Sequence, residues 1–351
     1  MLNVAKINLS AIKENAKEIK AILPRKTAFC AVIKAEAYGH GAVRTAEALH
    51  GVADCFAVAL AEEGARLRAA GVTEDILVFN PVSFADYLLA GKCSLTVCVS
   101  SAEDIIKAER AGRELHKTIK THLKINTGMN RGGISAEQAG DILSLYARCE
   151  RAKPFGVYSH YGAPENDELF YAATKEFRKA ARAVKSFNKN AAAHLSASGG
   201  FLRGAYFDMV RIGILLYGYK PYKTEKISVR PAMKVFAPVL CGQKLKAGER
   251  LLYGEKGLKK EANALIARYG YADGLPRESR AGDIAARCMD VSALEVSAEE
   301  INGRRFKKAG GYVCVMDNAD RLAEKYGTIS YEILTKCAAR AEKIYTYEST
   351  K

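Results

Sequence analysis

The sequence has no apolar run that approaches the roughly 18 consecutive residues needed to cross a lipid bilayer. Its first residues, Met1–Lys6, lack the apolar core and the small-residue cleavage pattern of a secretory signal peptide. Hydrophobic residues make up 49% of the 351-residue chain and charged residues 26%, as in a globular protein. We therefore expect a cytoplasmic protein of one or two domains that does not interact with membranes.

The sequence also lacks any pair of cysteines separated by two residues, the spacing typical of many zinc sites and redox motifs. Its nine cysteines are scattered along the chain, and most of them lie inside apolar runs. We therefore expect buried free thiols in a reducing compartment, with no disulfide framework and no metal site.

A concentrated basic surface is missing as well, although the formal net charge is +15. The lysines and arginines are dispersed, and the densest runs, at residues 256–260 and 304–308, are short and have no aromatic stacking motif beside them. Proteins that bind nucleic acids usually cluster such charge on one face. We therefore expect a small-molecule ligand and no nucleic acid.

Eight short apolar runs alternate with mostly helical segments between residue 29 and about residue 215. Such runs are typical of parallel strands that are covered on both faces. The predicted strands are Phe29–Ile33, Cys55–Leu60, Ile76–Phe79, Leu95–Val99, Ile119–Ile125, Phe155–Ser159, Ala193–Leu195 and Met209–Ile212. A helix over Leu9–Leu23, with Ser10 as its N-cap, precedes them. This order predicts an α/β fold with a (β/α)8 TIM-type barrel over residues 1–222.

The pattern changes after about residue 220, where strand-like runs separated by turns predict a mainly β domain over residues 223–351. The predicted strands are Met233–Leu240, Arg250–Tyr253, Ala262–Tyr271, Ile284–Glu295 and Tyr312–Met316. Helical patterns return at Ala319–Tyr326 and Ile333–Ala341.

Reactive side chains follow the predicted barrel strands at the end where barrel enzymes carry their active sites. Lys34 follows the first strand, and a lysine at a partly dry rim has a lowered pKa, so its neutral amine can form a Schiff base. His160 and Arg211 lie at the ends of later strands. The small residues Ser196–Gly200 and Gly213 follow the last two strands, where barrels usually bind phosphate.

Each of these features alone has a more ordinary explanation. A rim lysine is more often solvated, a lone histidine is more often structural, and a Ser-Gly-Gly run is more often a plain turn. Their joint position at the strand ends is what favours a catalytic site.

Several segments, in order along nearly the whole chain, resemble the bacterial alanine racemases. The first, Ala-Val-Ile-Lys-Ala-Glu-Ala-Tyr-Gly-His-Gly over Ala31–Gly41, is similar to the cofactor-lysine signature of that family. The similarity continues through Lys124–Arg131, Met209–Ile214, Gly270–Gly274, Cys288–Asp290 and Gly327–Glu332. The family fold is a barrel followed by a β domain, in agreement with the pattern of strands.

The resemblance implies a pyridoxal 5'-phosphate enzyme that interconverts L- and D-alanine and supplies D-alanine for peptidoglycan. Lys34 would hold the cofactor as a Schiff base, and Arg211 would face the pyridine nitrogen with His160 behind it. Arg131 would lie near the phenolic oxygen and the substrate carboxylate. The phosphate would be held by Tyr38, Ser198, Gly213, Ile214 and Tyr331.

Racemisation removes the α-proton on one face and returns it on the other, which requires two bases. The resemblance implies that Lys34 serves D-alanine and Tyr271 serves L-alanine. Members of the family form head-to-tail dimers, so Tyr271 and the substrate-binding Met289 would reach the site from the partner subunit. Lys124 matches a lysine that can be carbamylated in this family.

The sequence departs from the family pattern at several positions. Asn126 stands where the family usually has Asp, and Ser196–Gly200 and Ser159–Gly162 replace the usual runs. Only 17 residues separate Tyr271 from Met289, where relatives usually carry a longer segment. These changes leave open a broad-specificity or serine racemase of the same fold, and a degenerate paralogue that binds the cofactor without turnover. Tyr331 favours a small substrate.

Overall fold

The computed structural model describes residues 1–253, 257–277, 287–297 and 311–347. It divides into two compact units. The barrel unit comprises Ile12–Ala37 and Ala42–Arg230, and the C-terminal unit comprises Met1–Ala11, Tyr38–Gly41 and the residues from Pro231 onwards. The basic run at 304–308, Lys256 and the first residues of the predicted strand Ile284–Glu295 lie outside the described residues.

Strands and helices alternate over the first two thirds of the chain. The strands are β1 Val4–Asn8, β2 Ala28–Val32, β3 Cys55–Val58, β4 Asp75–Val78, β5 Thr96–Val99, β6 Ile119–Lys124, β7 Ala152–Tyr158, β8 Ala192–His194, β9 Met209–Ile212, β10 Met233–Leu245, β11 Ala262–Ala267, β12 Ser292–Val296, β13 Tyr312–Met316 and β14 Glu342–Thr346. The helices are α1 Leu9–Ile22, α2 Ala42–Leu49, α3 Ala61–Ala69, α4 Phe84–Lys92, α5 Ala102–Leu115, α6 Ala139–Ala147, α7 Asp167–Phe187, α8 Ser198–Leu202, α9 Ala319–Tyr326 and α10 Ser330–Cys337.

The barrel unit is one parallel sheet whose strand order is β8-β7-β6-β5-β4-β3-β2-β9. Backbone hydrogen bonds link the two ends of this order, because Asp208 N donates to the oxygen of Ala193 at 3.0 Å and Arg211 N donates to the oxygen of Ser196 at 2.9 Å. The predicted eight-stranded barrel is confirmed. Its strands are apolar because they are covered on both sides, and Phe56, Ala57 and Val58 of β3 have no exposed surface.

The C-terminal unit is built on a second sheet with the order β12-β11-β10-β1-β14, and β13 also pairs with β10. The predicted β-rich character is confirmed, but two strands were missed. β1 lies antiparallel to β10 and parallel to β14, so the first residues of the chain belong to this sheet. Their pairing partners lie more than two hundred residues away, and no local pattern indicates such a contact. The predicted domain boundary at residue 222 stays a prediction.

Three local predictions were wrong, and the first two concern a strand and the cysteines. Residues Arg250–Tyr253 form no strand, because Leu252 takes a left-handed conformation with φ of 51° and the chain turns there. Cys241 and Cys314 are exposed, not buried, although all nine cysteines are free and four of them are buried. Among the residues that the structure describes, no helix has the length and apolar character of a membrane span.

The N-cap of α1 is Asn8, not Ser10. The Oδ1 atom of Asn8 accepts a hydrogen bond from the backbone N–H of Ala11 at 2.9 Å, while Ser10 lies inside the first turn. The helix packs through Leu9, Ile12, Ala16 and Ile19, which have no exposed surface and follow a helical spacing.

We expect Asn8→Ala to lower the free energy of unfolding by about 1 kcal/mol, because it removes the acceptor for one unpaired helix amide. Ser10→Ala is the matched control, and its effect should stay within about 0.5 kcal/mol. Urea denaturation of both variants measures the difference. Equal losses in the two variants would contradict the assignment of the cap.

Candidate active site

Lys34 follows the end of β2 and is half-buried. The four residues after it form a left-handed turn, since Ala35, Glu36, Ala37 and Tyr38 have φ values between 51° and 54°. Ala37 N donates to the oxygen of Ile33 at 2.9 Å across this turn. Burial and the neighbouring Arg131 lower the pKa of Lys34, and Glu63 acts in the opposite direction. The amine is therefore more easily neutral than that of a solvated lysine.

Glu63, a residue not selected from the sequence, holds the backbone beside Lys34. Its Oε1 atom accepts a hydrogen bond from Ala35 N at 2.7 Å. Its Oε2 atom accepts from Ala59 N at 2.7 Å and from Leu60 N at 3.1 Å, at the start of α3. One buried carboxylate thus joins the end of β3 to the turn that follows β2.

Lys124 is the last residue of β6, and the loop that follows carries Arg131. Lys124 Nζ donates to the backbone oxygen of Arg131 at 2.7 Å, and burial followed by Arg131 lowers the pKa of Lys124. Asn126 Oδ1 accepts from the amides of Gly128 and Asn130, both at 3.1 Å, while its Nδ2 donates to Asn130 Oδ1 at 2.9 Å. An aspartate could make the first two bonds, but only an amide can make the third. Asn126, where the family usually has Asp, therefore still holds the loop through three hydrogen bonds.

Arg211 is a buried cation whose hydrogen-bond partners are neutral. Its Nη1 atom donates to Nδ1 and to the backbone oxygen of His194 at 2.7 and 2.8 Å. Its Nη2 atom donates to the oxygens of Ser159 at 2.6 Å and Leu195 at 3.1 Å. In the described part of the chain no carboxylate pairs with it. The barrel thus holds a positive charge that an electron-rich ligand would stabilise.

The hydrogen bond from Arg211 determines which ring nitrogen carries the proton in His194 and, through His194, in His122. A guanidinium only donates, so Nδ1 of His194 must accept and its proton lies on Nε2. That Nε2 atom lies 2.7 Å from Nδ1 of His122, which must accept in turn. Burial and Arg211 lower the pKa of His122 to about 4 and that of His194 well below its usual range. Both rings are neutral at pH 7, and they orient Arg211 without cancelling its charge.

His160 follows β7 in the same unit. Burial, and then the charges of Arg211, Arg131, Lys34 and Lys124, lower its pKa to about 3. The charges of these four cations therefore all disfavour a proton on this imidazole. The side chain that hydrogen-bonds to Arg211 directly is His194, a contact that the sequence did not indicate.

Small residues line the ends of β8 and β9. A Cβ atom on Gly200 would meet Ser196 Oγ at 2.6 Å and the ring of Tyr161 at 2.7 Å, so only glycine fits there. Ser198 is buried and begins α8, and the amides of a first helical turn have no helical acceptor. Gly213 and Ile214 follow β9 and lead into the 3-10 helix Ile214–Tyr217. This arrangement provides N–H groups of the kind that bind phosphate.

The C-terminal unit brings Tyr271 and Met289 together. Tyr271 N donates to the oxygen of Cys288, and Ala272 N donates to that of Met289, both at 3.0 Å. A Cβ atom on Gly270 would collide with the Met289 oxygen. The side chains of Tyr271 and Met289 are 39% and 55% exposed, so this unit by itself leaves both uncovered.

Asp273 holds the turn that presents Tyr271. Its Oδ1 accepts from Asn3 Nδ2 at 3.0 Å, and its Oδ2 accepts from Gly270 N at 2.8 Å. Gly274 closes the turn with φ of 113°, where a side chain would also strike the oxygen of Lys336. In the same unit the rings of Tyr38 and Tyr331 lie 6.0 Å apart, and burial raises the pKa of Tyr331 to about 12.

Two family models match this chain, "Alanine racemase, N-terminal domain" over residues 7–221 and "Alanine racemase, C-terminal domain" over residues 232–345. The chain belongs to the alanine racemase family. An alanine racemase of Desulfovibrio desulfuricans is 32% identical, with 97% of both chains covered, and one of Methanococcus maripaludis is 31% identical, with 98% of both covered. An alanine racemase structure from Clostridium difficile 630 superposes with a TM-score of 0.89 at 27% identity, over 99% of this chain and 96% of the other.

The recognition from sequence is therefore confirmed, and the chain is an enzyme of the isomerase class, as an alanine racemase family member should be. Three residues of the site escaped the sequence analysis. His122 precedes Lys124 by two positions and so lies on the same face of β6, which was a usable signal. His194 lies within a predicted strand, and Glu63 in the first turn of a predicted helix. Neither position alone indicates a contact across the barrel.

Two histidines with lowered pKa values predict how the stability of the fold depends on pH. His122 and His160 have folded pKa values near 4 and 3 against a usual 6.5, so the unfolded chain binds more protons between about pH 4 and 6.5. The free energy of unfolding should therefore fall as the pH falls from 7 to 4. In His160→Gln the slope over this range should be smaller by about one proton. Urea titrations at a series of pH values measure it, and an unchanged slope would mean that folding does not depress the pKa of His160.

Proposed function

We propose that this alanine racemase family member interconverts L- and D-alanine with pyridoxal 5'-phosphate bound at Lys34. The observation that carries the proposal is a group of cations in the barrel unit. Arg211 is buried on neutral acceptors, Lys124 Nζ donates to the backbone oxygen of Arg131, and Arg131 also lowers the pKa of Lys34. A cofactor with a phosphate and a phenolic oxygen, together with a substrate carboxylate, would supply the negative charge that this group lacks.

The residues present fit that cofactor. Lys34 offers an amine whose pKa is lowered, as covalent attachment of an aldehyde requires. The four Nη–H groups of the buried Arg211 already have acceptors, so its Nε–H is the donor that would face a ring nitrogen. Ser198, Gly213 and Ile214 would hold the phosphate through hydroxyl and backbone N–H groups, with Tyr38 and Tyr331 contributing hydroxyls. Arg131 would bind the phenolic oxygen and the substrate carboxylate.

The bound cofactor supplies the electron sink that makes the α-proton of the amino acid acidic. The chain's own side chains would do the rest. Lys34 Nζ would take or return the proton of D-alanine, and the Tyr271 hydroxyl would do so for L-alanine. Arg211, kept charged and fixed by His194, would disfavour protonation of the pyridine nitrogen. A weaker sink limits side reactions such as transamination.

Lys124 is proposed as a site of carbamylation. Its lowered pKa increases the fraction of neutral amine, the form that adds carbon dioxide, and it already contacts the backbone of Arg131. The resulting carboxylate would hold Arg131 in place.

We further propose a cytoplasmic homodimer that supplies D-alanine for peptidoglycan, with a barrel over residues 1–222 and a β domain over residues 223–351. The exposure of Tyr271 and Met289 supports the dimer, because a catalytic base and a substrate contact need a partner surface that covers them. Of the segment that joins Tyr271 to Met289, residues 278–286 lie outside the described residues.

We expect the protein loaded with cofactor to form D-alanine from L-alanine, and Lys34→Ala and Tyr271→Phe to lose at least about 100-fold in kcat. Tyr171→Phe is the matched control, since it removes the hydroxyl of another exposed tyrosine, and it should keep wild-type turnover. Chiral chromatography measures the product.

Exchange of the α-proton with deuterated solvent separates the two bases. Tyr271→Phe should still exchange the proton of D-alanine through Lys34, but should lose exchange on L-alanine. Loss of both exchanges would contradict the assignment of one base to each enantiomer. If the wild type is inert towards alanine, turnover of serine, lysine or arginine would favour a racemase of other specificity. Cofactor binding without any turnover would indicate a degenerate paralogue.

A mixing experiment tests whether subunits share their sites. Lys34→Ala and Tyr271→Phe are each expected to be inactive, but a mixed dimer would contain one site with an intact Lys34 and an intact Tyr271. After subunit exchange the mixture should recover about a quarter of wild-type turnover, because half the dimers are mixed and each has one working site. A mixture as inactive as its components would contradict a shared site.

A further inference from the structure

The turn after Lys34 is strained. Ala35, Glu36 and Ala37 all lie in the left-handed helical region, with ψ values between 46° and 51°. This conformation costs L-residues about 1–2 kcal/mol each and is ordinarily seen at single residues. None of the three is glycine, so the local sequence favours a different backbone, and surrounding contacts must hold this one.

Glu63 provides the contact nearest to Lys34. Glu63 accepts a hydrogen bond from Ala35 N, the first peptide N–H after Lys34. The direction of this N–H depends on the backbone angles of Lys34 itself. The second carboxylate oxygen is held by Ala59 N and Leu60 N, at the junction of β3 and α3. Glu63 is therefore fixed to the rigid part of the barrel, and the turn is fixed to Glu63. Glu36 makes a weaker, exposed contact, accepting from Ala42 N at 3.2 Å.

We propose that Glu63 is a positioning residue, which keeps the left-handed turn in place and so aims the Lys34 amine into the barrel mouth. The inference deepens the proposed function, because it concerns the lysine that would bind the cofactor. Three backbone donors occupy its two oxygens, so the carboxylate acts as an acceptor that ties the turn to the start of α3. It also adds a negative charge beside Lys34, which opposes the effect of Arg131 on that amine.

Two variants separate position from charge. Glu63→Gln removes the charge and replaces one acceptor oxygen by an NH2 donor, so the side chain can no longer accept from Ala35 N and from Ala59 N and Leu60 N at the same time. Glu63→Asp keeps the charge and shortens the side chain by one methylene, so that it cannot reach both β3 and the turn. Glu62→Gln is the matched control, since Glu62 is exposed in the same first turn of α3 and its loss changes the helix charge equally.

The first measurement uses the full-length chain free of cofactor. Competitive acetylation with acetic anhydride over a pH series, followed by mass spectrometry, reports the titration of Lys34 by its labelling. We expect Glu63→Gln to shift the midpoint for Lys34 to lower pH, because an anionic neighbour is lost. Glu63→Asp should keep the midpoint near that of the wild type, and Glu62→Gln should match the wild type.

The second measurement is the affinity for pyridoxal 5'-phosphate, followed by absorbance. We expect Glu63→Gln and Glu63→Asp each to weaken binding by about tenfold or more, the effect of losing one charge-assisted hydrogen bond. Adding Ala35→Gly to Glu63→Asp should restore part of the affinity, because glycine adopts positive φ without strain. Wild-type affinity in both Glu63 variants would overturn the proposal, as would equal losses in Glu62→Gln.

Both readouts are independent of turnover. If the wild type binds the cofactor but racemises nothing, the proposed function fails while the role of Glu63 is still decided. Circular dichroism checks the fold of each variant, and if Glu63→Gln does not fold, the comparison of Glu63→Asp with its Ala35→Gly double variant decides the proposal.

Discussion

The buried charge of Arg211 is the constraint on which the rest of the site depends. A guanidinium keeps its proton even where burial lowers its pKa, so the barrel must stabilise a cation away from water. It does so with carbonyl oxygens and a neutral imidazole, not with a carboxylate. A carboxylate would have cancelled the charge. Neutral acceptors leave the charge available to a ligand, while His194 and His122 stay neutral because Arg211 and burial oppose their protonation.

Arg131 and Glu63 act in opposite directions on the pKa of Lys34. Lys34 and Lys124 have lowered pKa values partly because Arg131 is close to both. Glu63 opposes that effect at Lys34, but its oxygens are directed at backbone N–H groups. The carboxylate thus serves the geometry of the turn first and the charge of the amine second. Burial and the charge of Arg131 thus lower the pKa of Lys34, while the carboxylate oxygens of Glu63 hold the backbone beside it.

The sequence predicted the barrel well because strands covered on both faces must be apolar. Apolar runs such as Phe56–Val58 can be recognised from the local sequence alone. It indicated candidate site residues because Lys34 and His160 follow such strands, because Arg211 lies within the last one, and because the quoted segments resemble a known family. The roles of these residues stay predictions. The remaining features depend on distant contacts. Val4 pairs with Phe236, His194 contacts Arg211 across the last two strands, and Glu63 binds the turn after a neighbouring strand. Residues Ala35–Tyr38 give no local sign of a left-handed backbone, since Ala and Glu favour right-handed helices and Tyr favours strands.

The C-terminal unit holds a tightly constrained turn around a side chain, that of Tyr271, which stays exposed. Gly270 and Gly274 are each required by a close approach, and the buried Asp273 receives bonds from Asn3 and Gly270 to hold the turn between them. A loop that merely ended a strand would not need so many constraints. Such rigidity has a purpose if Tyr271 must meet a ligand in a fixed orientation, because a proton transfer tolerates little displacement of the base. The exposed hydroxyl and the buried framework are therefore consistent with a base that is built on one subunit and used by another.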